Sequence, residues 1–171
     1  MRELRELRRL SNEDLLARLR EDVVSGHAWQ ARLIAHLGEV DHRKLYAEHA
    51  CPSMWDFCVR RLGMSESEAQ RRIAVARVVR QFPCFLACLE RGDIHLCAVY
   101  ALRKHLTVDN CDELLREAVG KSTSDVELMI AMRFPRADVA QRIEHDASQP
   151  SLSVIAGPSR AAVVTTATEL A

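Results

Sequence analysis

Helix-start and helix-stop signals recur along this chain and divide it into short segments. A serine followed three residues later by an acid, as at Ser11, Ser53, Ser65 and Ser122, is the pattern of a capped helix start. A glycine such as Gly63, or the residue before a proline, readily leaves the helical conformation and marks a stop. Only 5% of residues are aromatic, and the abundant Leu, Ala, Arg and Glu favour helices. We therefore predict an all-α bundle of about seven helices.

Composition divides the chain into three parts. Residues 1–10 form a charged N-terminal lead-in, and residues 11–135 form the predicted helical domain. Within this domain, Ser25-Gly26 either breaks or bends the first long helix. Residues 136–171 combine a Pro- and Gly-containing linker with a β-branched run, which predicts an irregular or strand-like tail.

Charge and apolar pattern indicate where such a protein works. The 24 basic and 24 acidic residues cancel, which argues against a uniformly basic, histone-like binder and leaves room for a local basic patch. No apolar stretch is long enough for a membrane, and the N-terminus lacks a secretory pattern. We predict a cytoplasmic protein without a membrane partner, whose six cysteines are mostly buried thiols.

Positive charge concentrates in the stretch "RRLGMSESEAQRRIAVARVVRQFP". Its six arginines against two glutamates leave a local net charge of +4. The arginines are Arg60, Arg61, Arg71, Arg72, Arg77 and Arg80. Two helical patterns flank a Gly-Met-Ser break, the layout of a helix-turn-helix whose second helix enters the DNA major groove. The acids that balance this charge are expected mostly elsewhere in the chain.

The second helix of this layout has an inner and an outer face. At about 100° per residue, Ala69, Ile73 and Ala76 share the inner face, while Gln70 and Arg71 lie outward. Glutamine and arginine can pair with adenine and guanine, and serine hydroxyls, arginines and free backbone N–H groups suit phosphates. The predicted DNA-binding residues are Arg60, Arg61, Ser65, Ser67, Gln70, Arg71 and Arg77.

Several ordered motifs carry a resemblance to a known family. They are "HLGEVDHRKLY", "LGMSESEAQRRIAVAR", "FPCFLACLERGDIHL", "HLTVDNCDELL" and "GKSTSDVELMIAMRFPRADV". Over about residues 10–139 the chain resembles the helical N-terminal region of bacterial, myxobacterial-type HNH endonuclease-associated proteins. A weaker likeness, through Phe82-Pro83 and the segment "GDIHL", is to the helix-turn-helix core of ParB-type partition proteins. Both resemblances imply DNA binding.

The resemblance stops before the nuclease unit of that family. The chain contains no paired Cys-x-x-Cys motifs and no His-Asn-His constellation, so no catalytic residue is carried over. We predict a non-enzyme without cofactor or small-molecule substrate. It is expected to be a fragment, a truncated relative or a stand-alone relative that retains the binding region.

A cysteine and histidine group offers a metal-binding alternative. Cys84 and Cys88 lie four residues apart on one predicted helix, with His95 and Cys97 close behind. That spacing can bind zinc, but structural zinc sites usually pair their ligands through tight knuckles. The neighbouring apolar residues favour simple packing of the thiols, and we predict no metal.

Two functions remain open from the sequence. In the first, residues 53–80 bind double-stranded DNA. In the second, the chain is a non-catalytic interaction or dimerisation bundle, its long N-terminal helices pairing with another copy and its arginines only solvated. A homodimer fits both, because helix-turn-helix proteins usually work on paired half-sites. Trp29 and Trp55, each in an amphipathic pattern, are predicted to anchor the core.

Overall fold

Residues 2–135 are described by a computed structural model, and within that range the chain forms helices and no β-strand. The predicted all-α class is confirmed, while the predicted linker and strand-like tail (136–171) lie outside the described residues. The elements are α1 (Arg2–Leu7), α2 (Asn12–Arg43), a 3₁₀ helix (Leu45–His49), α3 (Met54–Asp56) continuing into a π-helical turn (Phe57–Arg61), α4 (Glu66–Gln81), α5 (Cys84–Arg91), α6 (Leu96–Leu102), α7 (Cys111–Ala118) and α8 (Thr123–Arg133).

The predicted serine caps start four of these helices. Ser11, Ser53 and Ser65 each accept a hydrogen bond at Oγ from the backbone N–H three residues later, at 3.1, 3.1 and 3.4 Å. Ser122 makes the same bond, and its own N–H donates to the Asp125 carboxylate at 3.3 Å, which completes a capping box. These starts form where predicted because a cap depends only on neighbouring residues.

The glycine stops also lie where the sequence places them. Gly63 and Gly92 adopt left-handed conformations with φ of 68° and 78°. Gly92 has a second reason to lack a side chain, because a Cβ there would lie 2.2 Å from Nδ1 of His27. This close approach also marks where α2 comes against the end of α5.

Helix α2 is one unbroken helix of 32 residues, so Ser25-Gly26 does not break it. It ends at Arg43, and Lys44 turns the chain with a left-handed φ of 55°. Every residue in the range 12–26, here called the outer arm, is exposed. Beyond it α2 turns its buried residues toward α4 and α5; these are Ala31, Ile34, Leu37 and Gly38.

Helix α4 lies at the centre of the bundle. It contacts α2, α3, α5 and α6, and it buries six residues around most of its circumference. Its backbone approaches α2 closely, since a Cβ on Gly38 would lie only 3.2 Å from the Ala76 carbonyl oxygen. No polar or charged residue is buried within the described part of the chain. The packing of these apolar residues therefore fixes the orientation of α4 and the direction in which its exposed side faces.

The cysteines are mostly buried thiols, as predicted. None of the six is in a disulfide; four are buried, Cys84 is half-buried and Cys97 is exposed. Burial raises the pKa of the Cys58 thiol to about 11. None of the helices in residues 2–135 combines the length and the apolar content that crossing a membrane requires.

Candidate nucleic-acid interface

The segment from Met54 to Gln81 has the layout of a helix-turn-helix. A helical segment (54–61), a turn (62–65) and α4 follow one another, and α3 contacts α4. The last turn of the first helix is a π turn, in which Leu62 N–H donates to the Phe57 carbonyl at 3.2 Å. The extra residue in this turn changes the directions of Arg60 and Arg61 relative to a regular helix. No local signal in the sequence predicted it.

The first turns of α4 carry the predicted base-reading residues. Ser65 caps the helix, Ser67 and Gln70 are exposed, and Arg71 is half-buried. Arg71 forms no hydrogen bond or ion pair with any other residue between 2 and 135. Its guanidinium is therefore a cation without a bound carboxylate at the start of α4.

The two arginines of the π turn have different partners. Arg60 Nε lies 3.3 Å from the Asp56 carboxylate, one turn earlier, and the Arg60 side chain is 73% exposed. Arg61 Nη2 donates to the His49 carbonyl oxygen at 3.1 Å. That bond ties the π turn to the 3₁₀ helix and leaves the charge of Arg61 uncompensated by an acid.

The arginines further along α4 pair with the end of α2. Arg77 Nε lies 2.7 Å from an Asp41 oxygen, and Arg80 Nη1 lies 2.9 Å from a Glu39 oxygen. The hydrogen bond with Asp41 raises the pKa of Arg77. A hydrogen bond from Arg43 is the main cause that lowers the pKa of Glu39.

These pairs correct the expectation that the balancing acids lie elsewhere. Because α2 packs directly on α4, Glu39 and Asp41 of α2 lie next to Arg80 and Arg77 of α4. Within α4 itself, Glu68 binds Arg72 at 2.6 Å. Of the six arginines in the stretch, Arg61 and Arg71 have no carboxylate partner among residues 2–135. The uncompensated charge is therefore concentrated at the N-terminal end of α4.

The middle of α4 forms the floor of a cavity of about 300 Å³. Trp55 and Tyr100 line it together with two cations, Arg77 and Arg103. The Arg103 guanidinium lies over the Tyr100 ring at 3.6 Å from its centroid. The other residues that line the cavity are Ser53, Met54, Gln70, Ile73 and Ala74. The sequence reasoning did not identify Tyr100 or Arg103, whose meeting with α4 depends on how α6 packs.

Both tryptophans are exposed, so their prediction as core anchors is wrong. Trp55 is 38% exposed at the rim of the cavity, and Trp29 is 52% exposed. Trp29 lies about 140° around α2 from the buried Ile34, which removes it from the packing face. The guanidinium of Arg72 lies 5.7 Å from the centroid of the Trp29 ring instead.

The candidate zinc ligands do not form a cluster. Cys88 is buried, Cys97 and His95 are exposed, and within residues 2–135 no three His, Cys, Asp or Glu side chains come together as metal ligands would. The apolar neighbours of Cys88 include Phe85 and Leu89, which are themselves buried.

Comparison with known proteins assigns nothing further to this surface. No protein-family model, curated protein or solved structure matches the chain. The resemblance to HNH endonuclease-associated proteins therefore stays a prediction based on the motifs quoted above.

Proposed function

We propose that this chain is a DNA-binding helical domain that contacts duplex DNA with the first turns of α4 and the π turn before it. One observation carries the proposal: Arg61 and Arg71 hold charges without carboxylate partners, near the exposed Ser67 and Gln70. Phosphate oxygens would supply the missing counter-charge of Arg61, and acceptor atoms on a base edge would bind Arg71. The backbone N–H groups at a helix start add a further positive end.

Gln70 and the four predicted arginines have different roles in this proposal. Arg60 and Arg61 bind phosphates, because arginine pairs with phosphate through two parallel hydrogen bonds. Gln70 and Arg71 contact base edges in the major groove. The Asp56 pair does not prevent this, since an exposed ion pair contributes only about 0.2–1 kcal/mol. Arg77 contributes less, because Asp41 already binds it through two nitrogens.

The family resemblance supports the same partner. HNH endonuclease-associated proteins and ParB-type proteins both act on DNA, and the motif "LGMSESEAQRRIAVAR" covers the turn and the first turns of α4. We propose that it is a regulatory relative of these proteins, and its 171 residues carry no His-Asn-His constellation.

A second candidate is a non-catalytic interaction bundle that does not contact nucleic acid. The pairing of four of the six arginines with carboxylates favours it, because paired arginines are typical of an ordinary solvated surface. The two candidates differ in what they predict for salt.

Duplex binding by this domain should weaken steeply with salt. For the two arginines proposed to bind phosphates, Arg60 and Arg61, we expect the logarithm of affinity to fall with the logarithm of salt concentration with a slope of about −1.8. Fluorescence anisotropy with a labelled mixed-sequence duplex measures this slope. Absence of binding at low salt would contradict the proposal and leave the interaction bundle.

The choice of surface is tested by a pair of arginine variants. Arg71→Ala should lower affinity about tenfold, since a base-contacting arginine contributes roughly 1–3 kcal/mol. Arg116→Ala is the matched control, because Arg116 is exposed on α7 and, among residues 2–135, bonds only to the carbonyl of Asp112 in its own helix, at 3.2 Å. Equal losses in the two variants would show that α4 is not the recognition helix.

A further inference from the structure

The outer arm (12–26) carries an apolar stripe that nothing in residues 2–135 covers. Leu15, Leu16, Leu19 and Val23 are 41%, 52%, 56% and 50% exposed. They lie within about 100° of one another around the helix. Exposed apolar groups on this scale are typical of a protein contact when they are contiguous.

The stripe is an extension of the face that packs the core. Ile34 and Leu37 fall within the same arc of α2 and are 0% and 3% exposed. This face of α2 changes from exposed to buried near His27, where α2 meets the end of α5. The same face is therefore buried by α4 and α5 on one side of His27, and on the other side no residue in the range 2–135 packs on it. A helix of about 15 residues is marginal in water by itself, so a partner on this face would stabilise it.

We propose that the outer arm pairs with the outer arm of a second copy of this chain, antiparallel about a two-fold axis. The stripe favours a second copy over a strongly charged partner, because the arm (12–26) that carries it holds charges of both signs, two arginines and four acids. Opposite charges on the two arms can pair when the arms lie antiparallel.

Side-chain charges also select a register. With the axis between Ala17 and Arg18, Leu16 packs on Leu19 of the second copy, and Glu13 lies beside Arg20 of the second copy. The symmetry repeats both contacts. Glu13 and Arg20 are seven residues apart and share one flank of the stripe, as a flanking ion pair between helices requires.

The paired surface is about three helical turns long on each copy, shorter than a standard interface of about 800 Å² per partner. We therefore expect a reversible dimer. This inference does not depend on the proposed DNA binding, and its test contains no DNA.

Sedimentation of the whole chain over about a 100-fold range of concentration tests the dimer. The wild type should shift from one to two chain masses. The double variant Leu16→Glu/Leu19→Glu should dimerise at least about 100-fold more weakly, because four carboxylates would replace the apolar contact. Leu128→Glu is the control, since Leu128 is 61% exposed on α8, and it should dimerise like the wild type. Circular dichroism shows whether each variant keeps its helices.

A charge exchange tests the register. Glu13→Arg and Arg20→Glu should each weaken the dimer about threefold to tenfold, and the double exchange should restore it, since the pair is re-formed with reversed signs. A wild type that stays monomeric, a Leu16→Glu/Leu19→Glu variant that still dimerises, or a double exchange weaker than both single variants would each overturn the proposal.

Discussion

The two halves of α2 belong to one helix and share one apolar face, but they lie in different surroundings. In the inner half, Ile34 is fully buried against the bundle, whereas Leu19 in the outer arm is 56% exposed. Helix formation alone does not explain this difference, since a cap at Ser11 and good helix formers serve both halves. The comparison shows that an amphipathic pattern specifies which face of a helix is apolar. Whether other helices of the same chain bury that face depends on how the rest of the chain folds.

The largest expected effect is at the buried end. Ile34→Ala should lower the free energy of unfolding by about 2–5 kcal/mol, because it leaves a cavity against α4 and α5. Val24→Ala, in the outer arm and off the apolar stripe, should change it by less than about 0.5 kcal/mol. Urea unfolding followed by circular dichroism gives both values. Similar losses would mean that the two halves are equally packed.

A smaller loss is expected where α2 touches α4. Gly38→Ala would place a Cβ 3.2 Å from the Ala76 carbonyl oxygen, and the central backbone of α4 has little room to move. The strain of about 1–3 kcal/mol should exceed the gain of about 1 kcal/mol from replacing glycine in a helix. We expect a net loss of about 1 kcal/mol in urea unfolding. A gain in stability would show that the crossing is looser than its geometry indicates.

The smallest effect is expected at the boundary between the halves, with the opposite sign. Apart from its chain neighbours and its own helix backbone, no atom of residues 2–135 lies within 4 Å of where a Cβ of Gly26 would be. Gly26→Ala should therefore raise the free energy of unfolding by about 0.5–1 kcal/mol through helix propensity alone. Differential scanning calorimetry would record this as a higher Tm, and a lower Tm would indicate a role for Gly26 that its surroundings do not reveal.

Local features of the fold were predictable from the sequence. The serine caps and the stops at Gly63 and Gly92 depend on residues within one helical turn, so their patterns can be read directly. The outward position of Gln70 on α4 followed from periodicity in the same way. The unbroken course of α2 through Gly26 did not follow, because length and packing outweigh one glycine.

Features that depend on packing between helices were not predictable. The pairing of Arg77 with Asp41 joins residues 36 positions apart and exists because α2 lies on α4. The exposure of Trp29 and Trp55 has the same origin, since a pattern does not tell which face of a helix finds a neighbour. For the candidate site, the sequence identified which arginines are concentrated near α4. The structure identified which of these arginines have no carboxylate partner among residues 2–135.

The unbroken course of α2 also bears on the spacing of a paired assembly. If two arms pair antiparallel about an axis between Ala17 and Arg18, the two His27 residues lie about 30 Å apart along the direction of the helices. Each α2 is an unbroken helix from Asn12 to Arg43, so the rise per residue of the helix sets the distance between the two bundles. Each α4 would then be presented at a fixed interval, which is what two half-sites on one duplex require.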